Sequence, residues 1–218
     1  MELFADTASI GELKEILSWG ITSGCTTNPK IVAKEKGCNF EQRMKEILKL
    51  VEGPVSIEVT TNDSNEMIKE AEEYAKWGRN VVVKIPMGLE GLKAVKVLTK
   101  KGIKTNVTAC MSMNQALLAA KAGATYVSIF FARIGDMGYD ASRVVGETVS
   151  LFNKHNFSAK IIVGSIRHMM DINNAALAGA HIITVPYPFF KQMADNPKTT
   201  ETIDEFLKFW SDFKKTEQ

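Results

Sequence analysis

A single charge, Lys84, sits near the C-terminal end of the apolar run Asn80-Val-Val-Val-Lys-Ile-Pro86. Strand side chains alternate in direction, so Val81, Val83 and Ile85 share one face while Val82, Lys84 and Pro86 share the other. A lysine so placed reaches water only if its face lines a cavity. Burial disfavours the ammonium form and lowers the pKa, which frees the amine to attack a carbonyl. Taken alone, the segment also fits a lysine that reaches from a strand end to solvent. The polar residues elsewhere in the chain decide between the two.

A neutral amine needs a carbonyl substrate, with which it forms an imine. The protonated imine is an electron sink, so a neighbouring carbon–carbon bond can break or form. Cleavage of a hydroxyketone then needs a base for the leaving alcohol, and Asp6 is the candidate. Making and hydrolysing the imine needs proton transfer at water, which suits Glu58 together with Thr108. Arg133, Ser165 and Arg167 suit a phosphate, because guanidinium forks match its oxygens. Asn106 and Ser128 are further polar candidates on strand faces.

These residues must be positioned by the elements that carry them. Short apolar strands are predicted at 2–6, 24–27, 55–60, 80–85, 104–108, 126–131, 160–165 and 181–185. Amphipathic helices with i, i+3, i+4 spacing are predicted between them, at 12–19, 41–51, 65–77, 92–98, 113–122, 142–155 and 171–178. Gly78, Gly102, Gly123 and Gly179 each stand just before a strand, as helix stops do. Eight strand–helix units in series predict a closed α/β barrel with an outer ring of helices. An open doubly wound sheet is the runner-up, but no Gly-x-Gly-x-x-Gly or Gly-x-x-x-x-Gly-Lys stretch follows any strand. No linker or domain boundary is visible, so residues 1–218 read as one catalytic domain. An extra helix at about 201–214 follows the eighth unit. In a barrel of this kind catalytic groups sit at the C-terminal strand ends, where Asp6, Asn28, Glu58, Lys84, Asn106, Thr108, Ser128, Ser165 and Arg167 fall. Polar residues on the inward face of nearly every strand need partners and predict a polar pocket.

Composition bounds the function classes. The 218 residues are 45% hydrophobic and 24% charged, enough for one sizeable core. The net charge of +2 is too small and too scattered for a nucleic-acid surface. No apolar run of 18 residues marks a membrane span, and the first residues lack signal-peptide character. Cys25, Cys38 and Cys110 form no metal or redox spacing, and an odd count fits reduced thiols in a cytoplasmic protein. His155, His168 and His181 are far apart on different predicted elements. No metal and no cofactor is expected.

The ordered segments resemble the transaldolase family, and in length its small subfamily, which also holds fructose-6-phosphate aldolase. They are Leu3-Phe-Ala-Asp-Thr-Ala8, Thr26-Thr-Asn-Pro29, Val83-Lys-Ile-Pro86 with Glu90-Gly-Leu92, Asn114-Gln-Ala-Leu-Leu-Ala-Ala-Lys-Ala-Gly123, and Ile183-Thr-Val-Pro186. The resemblance covers essentially the whole chain and implies a (β/α)8 TIM barrel. It assigns Lys84 as the Schiff-base lysine, Asp6 as acid/base, and Glu58 with Thr108 as the pair holding a catalytic water. Asn28, Asn106 and Ser128 become substrate hydroxyl contacts, and Arg133, Ser165 and Arg167 the phosphate site.

The resemblance also separates two activities. Glu58, Asn106, Ser128, Phe130 and Arg167 follow the transaldolases, whereas the aldolases typically have Gln in place of Glu58 and Tyr in place of Phe130. This implies transfer of a dihydroxyacetone unit between sugar phosphates in the pentose phosphate pathway, with aldolase as the alternative. A non-catalytic phosphate-binding barrel is a remote rival, since none of Lys84, Asp6 and Glu58 is lost. Lys30, Gly88 and Gly135 depart from the family's usual residues near the pocket mouth. The expected partners are sugar phosphates and further copies of the same chain, as a pentamer or decamer. Phe206, Phe209, Trp210 and Phe213 on the last helix are the expected contact.

Overall fold

In the computed structural model, which describes residues 1–216, eight parallel strands close into a barrel in sequence order. They are β1 (Glu2–Asp6), β2 (Gly24–Thr26), β3 (Val55–Glu58), β4 (Val81–Pro86), β5 (Thr105–Cys110), β6 (Tyr126–Phe130), β7 (Lys160–Gly164) and β8 (Ile182–Val185). β8 pairs back onto β1, with Phe4 opposite Thr184. The fold is the (β/α)8 barrel that the strand–helix series predicts, and the open sheet is excluded.

Strand alternation sorts the side chains into two environments. Ala5, Cys25, Ile57, Val83, Ile85, Val107, Ile129, Val163 and Val185 point outward into one apolar layer shared with the helices. The inward residues form a second, smaller apolar plug of Phe4, Ile162 and Ile182, with Tyr126 packed against it. Phe4 and Tyr126 meet edge to face at 6.5 Å. Gly24 is required beside this plug: a Cβ there would stand 2.7 Å from the Phe4 ring and 2.8 Å from the Pro54 carbonyl oxygen. Above the plug the inward positions become polar, with Thr26, Ser56, Lys84, Asn106, Ser128 and Thr184 all buried. All eight strands thus close the bottom of the barrel with carbon or hold polar groups at its top.

The outer helices that follow the strands are α1 (Ile10–Ser18), α3 (Phe40–Leu50), α4 (Ser64–Tyr74), α5 (Leu89–Lys100), α6 (Met113–Ala122), α8 (Ala141–Lys154) and α9 (Met169–Leu177). Side-chain caps fix several starts: Asn39 accepts from Gln42 N, Asp63 from Asn65 N and Glu66 N, and Asp140 from Arg143 N. Gly102, Gly123 and Gly179 take the left-handed backbone of helix stops, whereas Gly78 does not.

Three shorter helices were not foreseen from periodicity: α2 (Pro29–Val32), α7 (Phe131–Asp136) and α10 (Tyr187–Ala194). They follow β2, β6 and β8 and crown the C-terminal face. β5 also differs from expectation. It runs to Cys110 rather than Thr108, through a register shift between Val107 and Cys110 with Ala109 at φ 59°. The last helix, α11 (Pro197–Thr216), starts four residues before the expected Glu201. Pro197 fits a first helical turn, and the Asn196 side chain accepts from Lys198 N at 2.9 Å. None of its described residues is buried. No helix among the described residues is long and apolar enough to cross a membrane.

Candidate active site

The C-terminal strand ends surround a cavity of about 540 Å³, within the range of small-molecule sites. Lys84 stands on its wall from β4 and is 4% exposed. Its Nζ lies 2.9 Å from Glu58 Oε2 and donates to the Thr27 carbonyl oxygen at 3.2 Å. Glu58 and Lys84 are register partners on adjacent strands. The sequence put both on the inward face and expected Glu58 to act with Thr108. In the structure Glu58 is the lysine's counter-charge.

Asp6 ends β1 on the same wall. Burial pushes its carboxyl above the ordinary carboxylate range, against the opposing pull of the Lys84 charge and of a 2.7 Å hydrogen bond from Thr26 Oγ1. Thr26 is in turn hydrogen-bonded to Thr184 on β8. The two threonines tie β2 to β8 and hold the Asp6 carboxyl in place. Asn28 lines the cavity beyond β2 and caps α2, its Oδ1 accepting from Ile31 N at 3.0 Å. That bond leaves the Asn28 amino group as the donor it can offer a ligand.

Asn106 is fully buried and does not reach the cavity wall. Its amide nitrogen donates to Ser56 Oγ at 3.1 Å, and its Oδ1 accepts from Ser128 Oγ at 2.8 Å. Asn106 therefore positions Ser128, which does line the cavity. Thr108 is also off the wall. Its hydroxyl is buried and has no hydrogen-bond partner in the protein. Thr108 lies within the irregular stretch of β5 between Val107 and Cys110, a local break that strand alternation cannot foresee.

Phe130 ends β6, and its ring centroid lies 6.0 Å from Lys84 Nζ and 5.9 Å from Arg133 Cζ. Arg133 stands on α7, and Ser165 and Arg167 follow β7; all three line the mouth. Arg167 Nη1 donates to both carboxylate oxygens of Asp136, at 3.0 and 2.8 Å. Asp171 accepts from the Arg167 and His168 backbone amides, which fixes the turn that presents the guanidinium.

Nine of the eleven expected site residues thus face one cavity, and Asn106 and Thr108 stand off it. Thr26, Thr184 and Lys34 were missed. Thr184 carried a signal, since it shares the inward parity of Ile182. Lys34 carried none. Among the described residues no group of three His, Cys, Asp or Glu side chains is placed to hold a metal ion.

The profile of the Transaldolase/Fructose-6-phosphate aldolase family matches residues 3–218. The chain belongs to this family. It is similar to a probable transaldolase of Alkaliphilus metalliredigens, at 50% identity over 96% of this chain and 98% of that protein. A probable transaldolase of Desulforudis audaxviator is 49% identical over 99% of this chain and the whole of its own length. One of Thermoanaerobacter sp. is 49% identical over 96% and 97%. Membership agrees with the cavity described above, because the segments that carried the resemblance hold Asp6, Asn28 and Lys84 on its wall.

Proposed function

We propose that this chain is a transaldolase. It moves a dihydroxyacetone unit from a ketose phosphate, sedoheptulose 7-phosphate or fructose 6-phosphate, to an aldose phosphate through an imine on Lys84. The observation that carries this reading is the buried Lys84 amine, 2.9 Å from Glu58, in the same cavity as Asp6 and two arginines.

The Lys84 amine and the Glu58 carboxylate, 2.9 Å apart, are within direct proton-transfer distance of each other. With the proton on Glu58, the amine attacks the ketone carbon. Glu58 returns the proton to the departing hydroxyl, water leaves, and the protonated imine forms. Asp6 then removes the proton of the C4 hydroxyl. The C3–C4 bond breaks, its electrons pass into the imine to give an enamine, and the aldose phosphate departs. An incoming aldose phosphate reverses these steps and water releases the new ketose. Asn28 and Ser128 hold the hydroxyls of the three-carbon unit. Arg133, Ser165 and Arg167 hold the phosphate. The buried Thr108 hydroxyl, which no other group among the described residues satisfies, is available behind the wall to hold the hydrolytic water with Glu58.

The pentose phosphate pathway and the cytoplasm are the setting that fits such a reaction. The exposed aromatic residues of α11 fit a homo-oligomer, pentameric or decameric, because patches of this kind are seldom left bare.

The test is borohydride trapping with fructose 6-phosphate, followed by product analysis with and without erythrose 4-phosphate. A mass adduct on Lys84, and product formation that depends on the acceptor, are the expected results. Release of free dihydroxyacetone without acceptor would replace the reading by an aldolase. Absence of any adduct would remove imine chemistry altogether.

A further inference from the structure

The cavity wall carries cations that the phosphate site of Arg133 and Arg167 does not use. Lys30, Lys34, Lys84, Arg133 and Arg167 face it against the two carboxylates of Asp6 and Glu58. Lys84 and Glu58 satisfy each other. Arg167 is partly neutralised by Asp136. Lys30 and Lys34 are exposed and make no ion pair or hydrogen bond through their amines with other described residues. A phosphate ester carries about −1.5 to −2 charges at neutral pH, so the two arginines suffice for one such group and neither lysine is needed to hold it.

The positions of the lysines matter as much as their number. Lys30 lies on α2, and Lys34 lies just past its end, beyond β2. Arg133 lies beyond β6 and Arg167 beyond β7. In a ring of eight strands closed in sequence order, β2 and β6 are diametrically opposed, with β4 midway between them. Two cationic arms therefore face each other across the mouth, and Lys84 on β4 stands between them. A single phosphate held by the arginine arm leaves the lysine arm free for a second anion. The lysine arm is also close enough to the reacting groups for the Lys34 charge to act on Asp6.

We propose that Lys30 and Lys34 form a second anion subsite, so that the cavity binds a sugar carrying two phosphates across its mouth. The inference deepens the transaldolase reading, from which it takes the sugar-phosphate class and the role of Arg133 and Arg167. It commits to a binding preference and to no additional chemical step. The exposed lysines act through water, so their effect weakens as salt rises.

The experiment compares fructose 1,6-bisphosphate with fructose 6-phosphate by titration calorimetry, on the wild type and on a Lys30→Ser/Lys34→Gln variant. Both substitutions are at exposed positions, and circular dichroism confirms the fold. In the wild type the bisphosphate binds at least tenfold tighter than the monophosphate at low salt, and this ratio shrinks at high salt. In the variant the ratio falls toward one. An equal loss for both ligands, or an unchanged ratio, overturns the subsite. Borohydride trapping on the same preparations reads the imine separately. Trapping without a lysine-dependent ratio keeps the transaldolase reading and removes the subsite. A lysine-dependent ratio without trapping keeps the subsite and removes the imine.

Discussion

Lys84 and Glu58 stand directly across from each other on β4 and β3, with Nζ and Oε2 2.9 Å apart. The register of two parallel strands thus places a proton acceptor beside a buried amine. Removing one member leaves the other uncompensated in a site where burial is expensive.

Glu58→Gln keeps a side chain of the same shape but removes the proton acceptor. Transfer should fall by about 10²–10⁴-fold, the usual size of a general acid–base contribution. Borohydride trapping should slow with it, because imine formation is the affected step. Normal trapping rates in Glu58→Gln would assign the proton transfer to another group. Lys84→Ala should abolish both trapping and turnover.

Phe130 offers no proton, and its ring faces the cavity 6.0 Å from Lys84 Nζ. A tyrosine there adds a hydroxyl to the chamber. Phe130→Tyr should raise the ratio of free dihydroxyacetone release to transfer, measured by product analysis with and without acceptor. The same change in the Glu58→Gln background should recover part of the lost turnover as release. An unchanged ratio in both backgrounds removes Phe130 from the control of specificity.

Asp6 is held above its ordinary value of 3.8 chiefly by burial. A carboxyl raised on folding contributes stability below its unfolded value and loses that contribution as pH rises through its folded value. At neutral pH its ionised form therefore opposes folding. Asp6→Asn should melt at a higher temperature than the wild type near pH 7, with the gain shrinking toward pH 3.5. The same variant should be nearly inactive. In the wild type, the acid limb of kcat/KM should lie above the ordinary carboxylate range. A variant less stable than the wild type at pH 7 would show that the hydrogen bond from Thr26 outweighs the burial of the charge.

Arg167 is shared between the cavity mouth and Asp136. Arg167→Ala should weaken transition-state binding of phosphorylated substrates, by an amount that water screening of the half-exposed guanidinium keeps below that of a buried pair. The loss should be smaller for unphosphorylated sugars. Asp136→Asn should act in the milder sense, changing KM for sugar phosphates more than kcat, because it releases the guanidinium without removing it. Equal losses for phosphorylated and unphosphorylated substrates would exclude a phosphate role for Arg167.

Phe206, Phe209, Trp210 and Phe213 on α11 are 65, 67, 57 and 50% exposed. Truncation before Pro197 should lower both the mass seen by light scattering and the thermal midpoint. A full chain that runs as a monomer at micromolar concentration would leave this helix without an assembly role.

The barrel and the inward face of each strand were legible in the residue pattern. Alternation on each strand is a local property, so Lys84, Asp6, Glu58 and Ser128 could be put on the inward face from their parity alone. The run of eight strand–helix units was equally local, because each helix declares its apolar face within its own residues. What depended on pairs of distant segments was not legible. Register decided that Glu58 meets Lys84, and an irregular stretch of β5 broke the alternation around Thr108. A hydrogen bond between β5 and β6 made Asn106 a support for Ser128 rather than a wall residue. Barrel closure set Lys30 and Lys34 opposite Arg133 and brought Thr184 against Thr26. Except for the β5 irregularity, which is a local break in alternation, each of these depends on residues far apart in the chain, and only the closed tertiary structure brings them together.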